Sequence, residues 1–115
     1  EYGVLGMTIP AARQGDLVAT GTPADHGCML VTTIDLGIPQ VKINNIDAAV
    51  FTSPLRFHKI KVGSSCAPHT GQIVNEGSSK VFIAGLPAAR IGDEVDTPGG
   101  SGRIIMGSPT VLIGG

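Results

Sequence analysis

Two short stretches of this chain hold all of its histidines and cysteines. Imidazole nitrogen and thiolate sulfur suit a tetrahedral zinc ion, which takes three protein ligands in catalytic sites and four in structural ones. Cys66 and His69 are separated by two residues, one of them Pro68, and a tight turn there would direct both donors to one point. The candidate ligands are His26, Cys28, His58, Cys66 and His69.

The same residues allow three other interpretations. The histidines could be unrelated surface groups beside a buried thiol, and Cys28 and Cys66 could instead form a single disulfide. Three ligands and a labile water would make a hydrolytic zinc centre, but that chemistry needs a nearby acid or base and a substrate cleft. Asp25 is the only carboxylate adjacent to either stretch. A chain this small and this poor in polar residues therefore favours a binding or structural role over catalysis.

Composition narrows the class of protein further. The 115 residues include 17 Gly, 8 Pro, no Trp, 3 Phe and 1 Tyr, which favours short, closely packed strands over helices. A formal net charge of −1 with 15% charged residues gives no electrostatic footprint for nucleic acid or an anionic membrane. A single domain of this length has a small core, so a cross-link such as a bound metal ion would help to stabilise it.

Two sequence pieces recur along the chain and predict short β-strands. In the clearest copy, residues 77–93, the two pieces are joined at Gly85 into a hairpin. The chain begins with a copy of the second piece that lacks a preceding first piece, and it ends with a copy of the first piece that lacks a following second piece. Pairing of these two end copies would complete three hairpins. The first piece occupies residues 37–45, 77–85 and 107–115, and the second occupies residues 9–16, 46–51 and 86–93.

The connections between the repeats would then lie on one side of the three-repeat body, and features specific to this protein are expected there. The ligand-type residues fall in the connections 17–36 and 52–76, and the connection 94–106 has none. The strand ends carry a repeated pair, Arg13 with Asp16 and Arg90 with Asp93. We expect these to form ion pairs or turn caps, worth about 0–1 kcal/mol if the pairs are exposed.

With these features the chain resembles the PAAR-repeat proteins over residues 7–115, while residues 1–6 are predicted to be a remnant of another segment or an N-terminal extension. The sequence Pro-Ala-Ala-Arg occurs at residues 10–13 and 87–90, and each copy continues to Gly-Asp. The middle repeat has Asp-Ala-Ala-Val at residues 47–50 and lacks Gly-Asp, which leaves the path of residues 52–57 open. The resemblance implies an all-β fold: a small cone of short strands with pseudo-threefold symmetry and a metal near its apex.

The resemblance also implies a zinc ion held by three histidines and one cysteine. His26, His58 and His69 carry over directly, and Cys66 is chosen as the thiolate because it shares the predicted turn with His69. Cys28 is the alternative, since His26-Gly27-Cys28 could also chelate.

The implied function is that of a structural spike tip and not of an enzyme. One monomer would cap and sharpen the trimeric β-helical central spike of a VgrG-like or phage-tail machine, with membrane contact only during penetration and no role for nucleic acid. The alternative is an adaptor that recruits effector cargo to the spike. The machine would be a type VI secretion system, a phage tail or a tailocin, so the protein would be cytoplasmic when assembled and delivered on firing, or part of a virion.

Overall fold

The structure is a computed structural model that describes residues 8–20, 28, 30–95 and 102–115. Within these residues the chain forms β-strands and turns and no helix, so the predicted all-β class is confirmed. In the same ranges no helix has the length and apolar character needed to cross a membrane. The predicted remnant or extension at residues 1–6 lies outside the described residues.

Twelve short strands are present in the described part of the chain. They are β1 (Thr8–Pro10), β2 (Leu17–Ala19), β3 (Val31–Thr33), β4 (Ile38–Ile43), β5 (Ile46–Ala48), β6 (His58–Val62), β7 (Ser65–His69), β8 (Phe82–Ile83), β9 (Leu86–Pro87), β10 (Glu94–Val95), β11 (Gly102–Ile104) and β12 (Leu112–Gly114).

The first and last strands pair with each other. β1 and β12 are antiparallel, with Ile9 opposite Ile113. The other two repeats form the continuous hairpins β4–β5 and β8–β9. The prediction that the ends of the repeat region meet to complete three hairpins is therefore confirmed.

A ring of three alanines joins the three repeats. Ala12 N donates to Ala89 O at 2.9 Å, Ala89 N to Ala49 O at 3.0 Å, and Ala49 N to Ala12 O at 3.0 Å. All three residues are buried, and only a small side chain fits where three strands approach one axis so closely. This closed cycle is consistent with the predicted pseudo-threefold symmetry.

Two apolar clusters form the core, one on the hairpin side and one on the connection side, and the second includes the alanine ring. All three repeats contribute equivalent residues to the connection-side cluster, and they also do so on the hairpin side if the partly buried Ile83 is included. This explains why isoleucine, valine and leucine recur at matching positions. The hairpin-side cluster contains Ala11, Ile43, Ala48, Ala88 and Ile113. The connection-side cluster contains Ala12, Val18, Ile34, Ala49, Leu55, Val74, Ala89, Val95 and Ile104.

Glycine begins the first piece of each repeat because the backbone of the next strand passes close by. A Cβ added at Gly37 would lie 2.6 Å from Ala48 O, and one at Gly107 would lie 2.7 Å from Ala11 O. Real Cβ atoms do not approach a carbonyl oxygen so closely, so a larger residue would push the strands apart.

The middle repeat follows the same path as the other two despite its different sequence. After the alanine ring each repeat turns through a residue with positive φ, and the N–H of that residue donates to a carbonyl oxygen further along the chain. The three bonds are Gly15 N to Ile34 O, Thr52 N to Val74 O and Gly92 N to Ile104 O, each 2.8 Å. The path that the sequence left open is thus the repeated one.

The connections add two further sheets. One is four-stranded, in the order β10-β11-β2-β3, and combines the first and third connections. The other is the two-stranded ribbon β6–β7 of the second connection. These elements carry the described candidate ligands.

Candidate functional site

The three hairpins present one outward position each at equivalent points of the repeats. These positions are Lys42, Phe82 and Leu112, and the cross-strand partners are Asp47, Pro87 and Pro10 respectively. Phe82 is 57% exposed and Leu112 is 53% exposed, whereas Lys42 forms an ion pair with Asp47. Exposed apolar side chains at equivalent positions of a repeated scaffold are typical of a binding surface when nothing else explains their exposure.

The repeated pair Arg90–Asp93 is buried, its counterpart Arg13–Asp16 is nearly so, and both do more than cap a turn. Asp93 accepts from the backbone N of Arg90 at 2.8 Å and from its guanidinium Nη2 at 2.9 Å, and both residues are buried. In the other copy the hydrogen bond from Arg13 to Asp16 raises the pKa of that guanidinium above its ordinary value. The small energy expected for an exposed pair therefore does not apply here.

His58 begins the ribbon and is fully buried. Its Nδ1 lies 3.3 Å from the carbonyl oxygen of Arg56. In the tautomer in which Nδ1 donates to this carbonyl, Nε2 carries the lone pair that metal coordination requires. This contact helps to fix the orientation of the imidazole ring.

Among the other candidate ligands, the backbone positions of His69 and Cys66 are given by the pairing of the ribbon. The backbone of His69, the last residue of β7, is opposite that of His58, and Cys66 is opposite Lys61. His26 lies outside the described residues, and for His69 the structure describes the backbone. Among the side chains that are described, no three of His, Cys, Asp or Glu group into a metal site.

The tight turn predicted for residues 66–69 is wrong. Residues 65–69 form the extended strand β7, paired along its whole length with β6. Because the backbone of residues 65–69 is extended, the predicted turn does not form, and the choice of Cys66 over Cys28 loses this support.

The two cysteines are joined in the structure. The Cys28–Cys66 disulfide links the first and second connections, with a sequence separation of 38 and a Cα–Cα distance of 6.0 Å between the two cysteines. This is the pairing that the cysteine count left open. In the disulfide form neither sulfur is available as a thiolate, which is the form that binds zinc.

Comparison with known protein families decides which family this arrangement belongs to. The PAAR motif family matches the chain over residues 20–96 and, in a second overlapping match, over residues 62–115. The chain belongs to the PAAR family. The resemblance inferred from the repeated Pro-Ala-Ala-Arg sequence is therefore confirmed.

PAAR proteins are structural proteins of spike tips, associated with spike proteins such as VgrG. A search of curated proteins found no match to this chain.

Of the predicted zinc ligands, His58 is a buried imidazole whose Nδ1 faces a backbone carbonyl. Cys66 belongs to a cross-strand pair on the opposite face of the ribbon from His58. The set His26, His58, Cys66 and His69 stays a prediction.

One surface of the PAAR domain was not anticipated from the sequence. Leu17, Val31 and Phe57 are 37%, 41% and 52% exposed, and they line a shallow depression beside the four-stranded sheet together with Thr32, Thr33 and Arg56. The sequence feature that could have indicated this surface is the alternation of strand residues 17–19. Val18 is buried in the core, so its neighbours in the strand must face outward.

Proposed function

We propose that this PAAR protein is a structural spike tip, one monomer of which caps a trimeric β-helical spike of the VgrG or phage-tail type and sharpens it to pierce a membrane. The observation that carries the proposal is the set of three hairpins around the alanine ring, one of them completed by β1 and β12. A trimeric needle ends in three exposed strand edges, and a single chain with three similar units can cover all of them.

The surface proposed to face the spike is the hairpin side. Its outward positions include two large apolar side chains, Phe82 and Leu112. Burying such a side chain against a partner stabilises the complex by about 1.5–3 kcal/mol. The third outward position is Lys42, which forms an ion pair with Asp47. This hairpin would therefore contribute less to the affinity for the spike.

A structural zinc ion at the opposite end completes the proposal. His26, His58, His69 and Cys66 would hold it in the reduced chain, and bound metal contributes folding free energy directly to a domain whose core is small. We propose no catalysis, because the family is structural. The tip would assemble with its spike in the cytoplasm and leave the cell on firing, or travel in a virion.

The test is complex formation with the cognate VgrG-like spike trimer, measured by size-exclusion chromatography with light scattering and by titration calorimetry. We expect one chain per trimer. Phe82→Ser should weaken binding by about 10- to 100-fold, the loss expected when a buried aromatic contact is removed. Leu112→Ser should act in the same direction.

Phe57→Ser is the matched control, because Phe57 is about as exposed as Phe82 but lies in the second connection. It should leave affinity for the spike within about twofold, as expected for a residue outside the interface. Three chains bound per trimer, or equal losses for the two phenylalanine variants, would contradict the proposal.

The depression around Phe57 favours a second candidate function, that of an adaptor for effector cargo. Its exposed apolar side chains Leu17, Val31 and Phe57 lie together on one surface, as binding grooves commonly do. In this case Phe57→Ser would abolish retention of an effector on the assembled spike while Phe82→Ser would act only through loss of the spike. An effector retained equally by wild type and Phe57→Ser would remove this candidate.

A further inference from the structure

We propose that the spike capped by this domain has the same apolar contact surface on each of its three subunits, and that the Lys42–Asp47 ion pair meets one of these surfaces as a self-neutralised unit. The inference rests on the proposed capping function and names the chemistry of the partner. It comes from three equivalent positions of the hairpins, two of them apolar and one charged.

The register of the hairpins makes these positions equivalent. In each first piece one isoleucine packs in or against the hairpin-side cluster: Ile43, Ile83 and Ile113. Successive strand residues alternate between the two faces, so the residue before each isoleucine must face outward. We call this outward residue and its cross-strand partner a corner; the three corners are Lys42 with Asp47, Phe82 with Pro87 and Leu112 with Pro10.

The symmetry of the spike sets the chemistry that faces the charged corner. A trimer of identical subunits presents the same groups to all three corners. A surface that buries Phe82 and Leu112 is apolar, so an equivalent apolar surface faces Lys42. An unpaired ammonium group there would lose its water without compensation, which is costly. Asp47 supplies that compensation from within the hairpin, because its carboxylate pairs with Lys42 Nζ.

The charged corner is also held in place by the other repeats. Its turn consists of Asn44 and Asn45, both with positive φ. The side-chain amide of Asn44 donates to Thr110 Oγ1 at 2.9 Å. The Asn44 carbonyl oxygen accepts from Ser108 Oγ at 2.6 Å and from Arg13 Nη1 at 3.1 Å. The corner therefore has a fixed position relative to the first and third repeats before any partner binds.

The alternative is a spike that offers a carboxylate to Lys42. The same trimer would then place carboxylates against Phe82 and Leu112, where burial of an unpaired charge is unfavourable. The ammonium group of Lys42 already has a partner in Asp47. An apolar surface is therefore the one that suits all three corners.

The experiment changes the charged corner and measures affinity for the cognate spike trimer by titration calorimetry. The double variant Lys42→Leu/Asp47→Pro copies the corner of Leu112 and Pro10 and leaves the net charge unchanged. Proline keeps the carbonyl of position 47, which accepts from Gln14 N at 2.9 Å. The dissociation constant should fall by about 10-fold, because apolar burial replaces the desolvation of two charges.

Asp47→Asn tests the neutralising role with a side chain of the same shape. It leaves Lys42 unpaired against the apolar surface, so binding should weaken by about 10-fold. Glu76→Gln is the matched control, because Glu76 pairs with Arg103 at 3.5 Å at the exposed edge of the connections. It should leave the affinity within about twofold of wild type.

The outcomes separate this inference from the capping function. Tighter binding by Asp47→Asn would show that the spike offers a negative group to Lys42. Equal or weaker binding by the double variant would show that no apolar surface faces this corner. Either result, with one chain per trimer and with Phe82→Ser still weakened, would overturn the inference and leave capping in place. If no one-to-three complex forms, or if Phe82→Ser binds like wild type, the capping proposal fails and this inference fails with it.

Discussion

Two of the three turns that follow the alanine ring carry arginine, glycine and aspartate, and the third has Val50, Thr52 and Ser53 in the same places. In all three turns the backbone N–H of the fourth residue donates to the carbonyl oxygen of the first. In the middle turn this hydrogen bond runs from Ser53 N to Val50 O and is 2.9 Å long. In all three a side-chain oxygen accepts from the first residue of the turn: Val50 N lies 3.0 Å from Ser53 Oγ. The turn thus requires a capping oxygen and a residue with positive φ, and it does not require charge.

The two charged turns also differ from each other. The guanidinium of Arg13 donates to Asn44 Oδ1 at 3.1 Å and lies 3.4 Å from Gly107 O, in addition to its bonds with Asp16. In the described ranges, the side-chain hydrogen bonds of Arg90 go to Asp93 alone. The first arginine therefore has other acceptors if its aspartate is removed, and the second has none within those ranges.

The largest effect is expected for Asp93→Ala. It leaves the buried guanidinium of Arg90 without its carboxylate, so the free energy of unfolding should fall by about 3–5 kcal/mol. Asp16→Ala should cost clearly less, because Arg13 keeps Asn44 and Gly107 as acceptors. Urea denaturation of both variants in the disulfide form measures the difference, and equal losses would show that these extra acceptors contribute nothing.

A smaller effect is expected for Ser53→Ala in the middle turn. The change leaves the buried N–H of Val50 without its acceptor, which should lower the free energy of unfolding by about 1–3 kcal/mol. Ser79→Ala is a suitable control, because Ser79 is exposed and its side chain lies 3.5 Å from Gly115 O. Chemical denaturation should place the control within about 0.5 kcal/mol of wild type; a comparable loss in both variants would argue against the capping role.

These turns show how much of the fold the sequence predicts. The outer repeats were recognisable because Pro-Ala-Ala-Arg and Gly-Asp recur, and the pairing of β1 with β12 followed from two pieces that each lacked a partner. The middle turn was not recognisable, since Thr52 is a poor residue for positive φ and Ser53 replaces the expected aspartate. Tertiary contacts decide its path: the N–H of Thr52 is bonded to Val74, which lies far along the chain.

The candidate site was less predictable than the core for a related reason. The spacing of Cys66 and His69 allows a turn, but pairing with β6 makes the segment extended. Pro68 does not prevent this, because a two-stranded ribbon has a free edge on either side where a missing N–H costs no ladder bond. The contact between Cys28 and Cys66 spans 38 residues, and no local pattern determines which of two sulfurs binds metal or whether both form a bond.

The smallest effect, and one of opposite sign, is expected for Thr52→Gly. Thr52 has a φ of 82°, in the same region as 85° for Gly15 and 90° for Gly92. This conformation costs a residue with a Cβ about 1–2 kcal/mol. Glycine avoids that cost but lowers the free energy of unfolding by about 0.5–1 kcal/mol, because it gives the unfolded chain more conformational entropy. Replacing the exposed Thr52 with glycine should therefore raise the free energy of unfolding by roughly 0.5–1 kcal/mol.

The reverse change at Gly15 tests whether the three turns share one conformational requirement. An added Cβ there would meet nothing within 4 Å, so Gly15→Thr introduces conformational strain without a steric clash. We expect it to lose about as much stability as Thr52→Gly gains, measured as shifts of opposite sign in the urea midpoint. A stability loss in Thr52→Gly would mean that the threonine side chain contributes contacts worth more than the strain, and that the middle turn is held differently from the outer two.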